Sequence, residues 1–117
     1  MPTLEEIVKG IVARDVQTLV IKDAAYGSSW KKRGGVGAYM MLARKWDRLE
    51  TQVTRPGLDA KYDIFDLIQQ DCQPGAPTSE SALETIRDLR VYLILVESEM
   101  IARKVLDNYG VAGDTQG

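Results

Sequence analysis

Residues 81–107 read SALETIRDLRVYLILVESEMIARKVLD. The centre, VYLILV from Val91 to Val96, is apolar at six consecutive positions and fits a buried strand as well as a helix. Length decides between them. Good helix formers continue on both sides, and no turn residue intervenes between Ser81 and Asp107. Ser81 with Glu84 three residues on supplies an S-x-x-E start. The longest helix is therefore expected over about 79–109. A helix apolar on every side has to be enclosed, by its own neighbours or by another subunit. The expected fold is all-α, a four-helix bundle-like domain with a long central C-terminal helix, in a homodimer or higher homo-oligomer.

Working outward, Thr3 and Glu6 have capping-box form, and Glu5 and Glu6 favour the positive end of a helix dipole. Leu4, Ile7, Val8, Ile11, Val12, Val16, Leu19 and Val20 recur at helical spacing, which predicts a first helix over 3–24 closed by Gly27. Tyr39, Met40, Leu42, Ala43, Trp46, Leu49 and Val53 form one stripe of a second helix over 36–53. Arg55-Pro56-Gly57 stops it. A short helix over 59–70 would bury Ile64, Phe65, Leu67 and Ile68, and the QPGAPTSE loop leads into the last helix. Residues 1–110 make one domain, and 111–117 read as a flexible tail.

The composition narrows the chemistry. A chain of 117 residues with 44% hydrophobic and 27% charged residues is an ordinary globular domain with one core. The net charge of −2 gives no global attraction to long nucleic acid or an anionic membrane. No run approaches the ~18 apolar residues of a membrane span, and MPTLEEIVKG lacks a signal peptide's regions. The lone cysteine, Cys72, suits a reducing cytoplasm. With no histidine and one cysteine, neither a His-based triad nor an all-protein thiolate zinc site is possible. Any metal would be a hard cation held by oxygen.

Two constellations stand out. The first is KDAAYGSSWKKRGGVG, Lys22 to Gly37. Extended to Arg48, it carries seven cations against Asp23 and Asp47, a local +5 that leaves −7 for the remainder. A basic pocket on an acidic body suits a small phosphorylated ligand. Lys22, Lys31, Lys32, Arg33, Arg44, Lys45 and Arg48 would supply charge. Gly34, Gly35 and Gly37 let a phosphate approach backbone N–H groups. Tyr26 and Trp30 could stack on a base, with Asp23, Gly27, Ser29 and Tyr92 completing the ligand set. The competing reading makes Trp30 a loop anchor and Lys31-Lys32-Arg33 a solvated run, and the glycines match neither G-x-G-x-x-G nor the Walker pattern. The second constellation is acidic. Asp47 with Glu50, and Glu84 with Asp88, each share a helix face. On antiparallel helices these four could hold Mg²⁺ for catalysis, or simply decorate solvated faces and pair with Arg44, Arg48, Arg87 and Arg90. Glu97 and Glu99 fall on the sides of Arg90 and Arg103, a structural placement.

The blocks K-D-x-x-Y-G-x-S-W and L-A-R-K-W-D-R, and later the helix ETIRDLRVYLILVESEM, in order over most of 20–100, resemble the nucleotide modification associated domain 1 family of phages and bacteria. That family is similar in helical layout to the MazG-like and dimeric dUTPase pyrophosphohydrolases. The resemblance implies paired acidic motifs at Asp47/Glu50 and Glu84/Asp88 around Mg²⁺, with water attacking between the α- and β-phosphates of an NTP or modified dNTP. The pairs here read D-x-x-E and E-x-x-x-D, where the pyrophosphohydrolases have E-x-x-E and E-x-x-D. Hydrolysis is thus one expectation. Capture of a nucleotide or cyclic-nucleotide signal without chemistry is a second, and an oligomerising accessory subunit a third.

Overall fold

The computed structural model describes residues 1–76 and 81–105, and every regular element in them is helical. Helix α1 spans Leu4–Tyr26, α2 Gly34–Val53, α3 Ile64–Asp71 and α4 Ala82–Ala102, with a 3-10 turn at Ser29–Lys31 between α1 and α2. The all-α, four-helix architecture is the expected one. The expected tail at 111–117 lies outside the described residues.

Local chemistry explains the ends. Thr3 Oγ1 accepts from Glu6 N–H at 3.2 Å, and Ser81 Oγ from Glu84 N–H at 3.2 Å, so both predicted start signals cap their helices. Gly27 closes α1 with φ +57° and a 2.9 Å hydrogen bond to the Asp23 carbonyl. α3 starts at Ile64, not near 59, because Asp63 caps it by accepting from the N–H groups of Phe65 and Asp66 at 3.1 and 3.0 Å. α4 stops at Ala102, short of the expected 109. Lys104 turns left-handed with φ +65°, and Val105 N–H donates back to the Met100 carbonyl at 2.9 Å. Such a six-to-one bond terminates a helix.

The core gathers at one end of the molecule. Leu49 and Val53 of α2, Leu58 of the following loop, Leu67 of α3 and Ala82 of α4 are buried together, with Ile64, Ile68 and Ile86 against them. Thr85 is wholly buried there, its hydroxyl 3.0 Å from Gln52 Oε1 and 3.2 Å from the Ser81 carbonyl oxygen. Asp71 ties α3 to its neighbours, accepting from Ala82 N–H at 3.0 Å and pairing with Arg55 at 2.8 Å. Ion pairs and hydrogen bonds join residue 31 to 99, 45 to 88 and 52 to 85, so α2 and α4 run antiparallel.

Three expectations about burial are corrected. Of the VYLILV run, Val91 is buried, but Leu93 and Ile94 are 51% and 37% exposed, so one chain does not enclose α4. Phe65 and much of the α2 stripe (Tyr39, Met40, Trp46) face out. The aliphatic stripe of α1 is largely exposed as well. In each case helical periodicity identifies the helix, while the number of helices available to cover it falls short.

One glycine is sterically required. A Cβ at Gly37 would lie 2.7 Å from Arg33 Cβ, whereas one at Gly10 meets nothing within 4 Å. Gly37→Ala is expected to cost about 1–2 kcal/mol by overpacking. Gly10→Ala, inside exposed α1, should gain roughly 0.5–1 kcal/mol. Urea denaturation of the two variants checks the opposite signs.

Candidate functional site

The 3-10 turn, α1, α2 and α4 enclose an open cavity of about 510 Å³. The C-terminal half of α1 provides Leu19, Lys22 and Asp23, and Gly27, Ser29 and Trp30 follow from the turn. Met41 and Arg44 come from α2, Tyr92 and Leu95 from α4. Its size is that of an ordinary small-molecule site. A neighbouring cleft of about 540 Å³ shares Ser29, Trp30, Met41 and Arg44 with it and adds Lys32, Arg33, Val36, Gly37 and Met40. Trp30, half-buried, is a wall of both. Lys32, Arg33 and Arg44 make no ion pair among the described residues.

Lys22 is held in place. Its Nζ lies 5.0 Å from the centroid of the Tyr92 ring and 3.9 Å from Asp88 Oδ1. The other Asp88 oxygen accepts from Lys45 Nζ at 2.9 Å. A cation over an aromatic face is stabilised by the ring quadrupole. The first wall thus presents Lys22 and Arg44 against one carboxylate, Asp23, beside two aromatic rings. Such a set can neutralise phosphate, stack on a planar base, and accept a hydrogen bond from an amino or hydroxyl group.

Lys31 is turned elsewhere. It donates to Glu99 at 2.6 Å, and Arg103 donates to the same carboxylate at 2.8 Å. The Lys31 hydrogen bond first, then that of Arg103, holds the Glu99 carboxyl below its usual range. This linkage fastens the 3-10 turn to the end of α4, beside a smaller cavity of about 240 Å³ that Trp30, Gly34, Gly35 and Tyr39 also line. The expected structural pairing of Glu99 with Arg103 is present. Arg90, expected beside Glu97, pairs with Asp15 instead.

The acidic constellation is dispersed. Asp47, Glu50 and Glu84 are exposed, and Asp88 is engaged by two lysines. Among the described residues no three His, Cys, Asp or Glu side chains stand where they could share a metal ion. The geometry of α2 gives the reason. Lys45, Leu49 and Gln52 face α4, and Asp47 lies two positions from both Lys45 and Leu49, about 200° round the helix. The antiparallel pairing is as expected, but this acidic pair points away from it. As arranged, these residues do not fit a Mg²⁺ ion. Of the remaining ligand-set residues, Lys45 and Arg48 are half-buried and line neither cavity, and the side chain of Tyr26 lies outside what is described.

The most buried charge was not anticipated. Asp15 is 4% exposed and takes both of its hydrogen bonds from Arg90, at 2.5 and 2.8 Å. The Arg90 hydrogen bonds hold the Asp15 carboxyl below its usual range against the opposing effect of burial, and raise the Arg90 guanidinium in turn. A signal existed in the sequence. Ile11 and Leu19 stand four residues to either side of Asp15, on the face where an unpaired acid is not tolerated.

No family model, curated protein or solved structure matches the chain. No helix among the described residues is long and apolar enough to cross a membrane. The site stands on its geometry.

Proposed function

We propose that the chain captures a small phosphorylated nucleotide, its base against Trp30 and Tyr92 and its phosphates toward Lys22 and Arg44, with Lys32 and Arg33 on the adjoining cleft. The single observation behind this reading is that one open cavity collects two cations and two aromatic rings from four separate elements. The resemblance to the nucleotide modification associated domain 1 family supports the ligand class. Plain capture is favoured over pyrophosphohydrolysis because Asp88 is engaged by Lys22 and Lys45 while Asp47 and Glu50 are exposed.

The test is a thermal-shift screen of the purified chain against nucleoside mono-, di- and triphosphates and cyclic nucleotides, with and without Mg²⁺. Capture predicts stabilisation by at least one nucleotide without Mg²⁺, about 2.7 kcal/mol at a concentration of 100 Kd, with no pyrophosphate released. Release of pyrophosphate dependent on Mg²⁺ would instead establish the hydrolase. Absence of stabilisation by every nucleotide would overturn both and leave an accessory subunit.

A further inference from the structure

Residues 28–33 bring Ser29, Trp30, Lys32 and Arg33 to the two clefts, and none of the six is buried. Gly27 and Gly34 bracket them, with φ +57° and +73°. Glycine enters that region freely, so the segment has a pivot at each end. Two hydrogen bonds close its turn internally, from Lys31 N–H to the Ser28 carbonyl at 3.1 Å and from Lys32 N–H to the Ser29 carbonyl at 3.2 Å. These give the segment a shape without attaching it to anything. Packing attaches it little, because Trp30 borders the cavities of about 510, 540 and 240 Å³ alike, and three open spaces meet at one indole. A side chain bordered by voids forfeits contacts that would otherwise fix it. One attachment does reach across the fold. Lys31 Nζ donates to Glu99 Oε1 at 2.6 Å, and among the described residues no other side chain of 28–33 makes a hydrogen bond or ion pair. Glu99 is itself set, since its side chain is 14% exposed and Arg103 Nε holds the second oxygen at 2.8 Å. A carboxylate fixed at both oxygens cannot follow the lysine outward.

We infer that residues 28–33 are a hinged strap and that Glu99 is a positioning residue, which acts through Lys31 to hold Trp30 as the shared wall of the clefts. While the pair is made, the indole stands where the two larger cavities meet. When it is broken, the strap swings on its two glycines and the indole passes into water. Glu99 lines only the smallest of the three cavities, so its influence on the other two travels through the strap. One consequence rests on the nucleotide reading above. A loosened wall has to be ordered again on binding, which lowers affinity in proportion to the fraction of chains still latched. Lys31 and Glu99 would then govern binding without touching the nucleotide.

Fluorescence of the full chain tests the strap without any ligand. Trp46→Phe removes the other tryptophan, which is 58% exposed, and leaves Trp30 as the sole emitter. In that background Lys31→Met keeps the aliphatic stem and removes the charge, and Glu99 stays paired with Arg103, so no acid is stranded. Its emission should move to longer wavelength and its quenching by acrylamide should rise about two-fold, with helical circular dichroism kept. Glu99→Met should do the same. The double variant should go no further than either single one, as two residues acting through one bond require. Lys9→Met, which breaks the exposed Lys9–Glu5 pair, should leave Trp30 as it was. Emission and quenching unaltered by Lys31→Met would overturn the inference, as would effects of the two single changes that add. Loss of helical circular dichroism in Lys31→Met would overturn it too, because the pair would then hold the fold and not the strap. These outcomes are read whether or not a nucleotide binds, so they are separate from a failure of the ligand reading.

Discussion

Arg90→Ala is expected to destabilise the folded chain by about 3 kcal/mol, at the low end of what removing one partner of a buried ion pair costs. Arg90 is itself about one-third exposed, with a side-chain accessibility of 32%, which moderates the loss. The larger part comes from Asp15, which is 4% exposed and loses the two hydrogen bonds that Arg90 donates. Replacing both residues together, Asp15→Leu with Arg90→Met, should cost far less than the single change, because no buried charge then remains. The pH dependence follows from the direction of the shift. The folded Asp15 carboxyl lies below its unfolded value of about 3.9. Its contribution is therefore fully present above that pH and is lost as pH falls through the lower, folded value. Urea denaturation should show an acid limb in the native protein that Asp15→Asn diminishes, the lowered Glu99 carboxyl supplying part of the remainder. An unchanged limb would assign the acid sensitivity to other carboxylates.

Trp30→Ala should weaken nucleotide binding by between about 5-fold and 150-fold, the equivalent of the ~1–3 kcal/mol that a base–aromatic stack contributes. The fold should survive, because Trp30 sits on the 3-10 turn, away from the cluster of Leu49, Val53, Leu58, Leu67 and Ala82. Isothermal titration with the best ligand of the thermal-shift screen provides the measurement, and circular dichroism the control. Arg44→Ala should lower affinity as well and reduce its dependence on salt, since the interaction lost is charge on charge. If Trp30→Ala binds as tightly as the parent, the base does not lie against that wall.

The sequence showed where helices begin more reliably than which faces they bury. Thr3 and Ser81 announce their helices because capping is local chemistry, complete within three residues. Val16 and Val20 have the same spacing as buried residues, but their burial depends on what packs opposite, and nothing local encodes that. The set that lines the cavity was partly legible for the same reason. Lys22, Asp23, Gly27, Ser29 and Trp30 lie near one another in sequence and line one cavity. Arg44 and Tyr92 were within reach of motif reading, while Leu19, Met41 and Leu95 were not, since an aliphatic wall carries no chemical signature. The acidic pairs show the converse limit. Asp47 and Glu50 share a face by spacing, but spacing cannot state which way that face is turned.

The placement of the apolar cluster at one end of α2 has a mechanical consequence. Leu49 and Val53 are clamped between α3, α4 and Leu58, while the opposite end, from Gly34 to Ala38, has no buried side chain. α2 is thus a lever fixed at one end. The span that borders the clefts can tilt by small amounts without disturbing the clamp, restrained by the Lys45 bond to Asp88 and by the Lys31 tether to Glu99. If the proposed nucleotide binds there, a guest of slightly different bulk would be met by swinging that free end, so selectivity for the size of a base should be shallow and selectivity for charge steep.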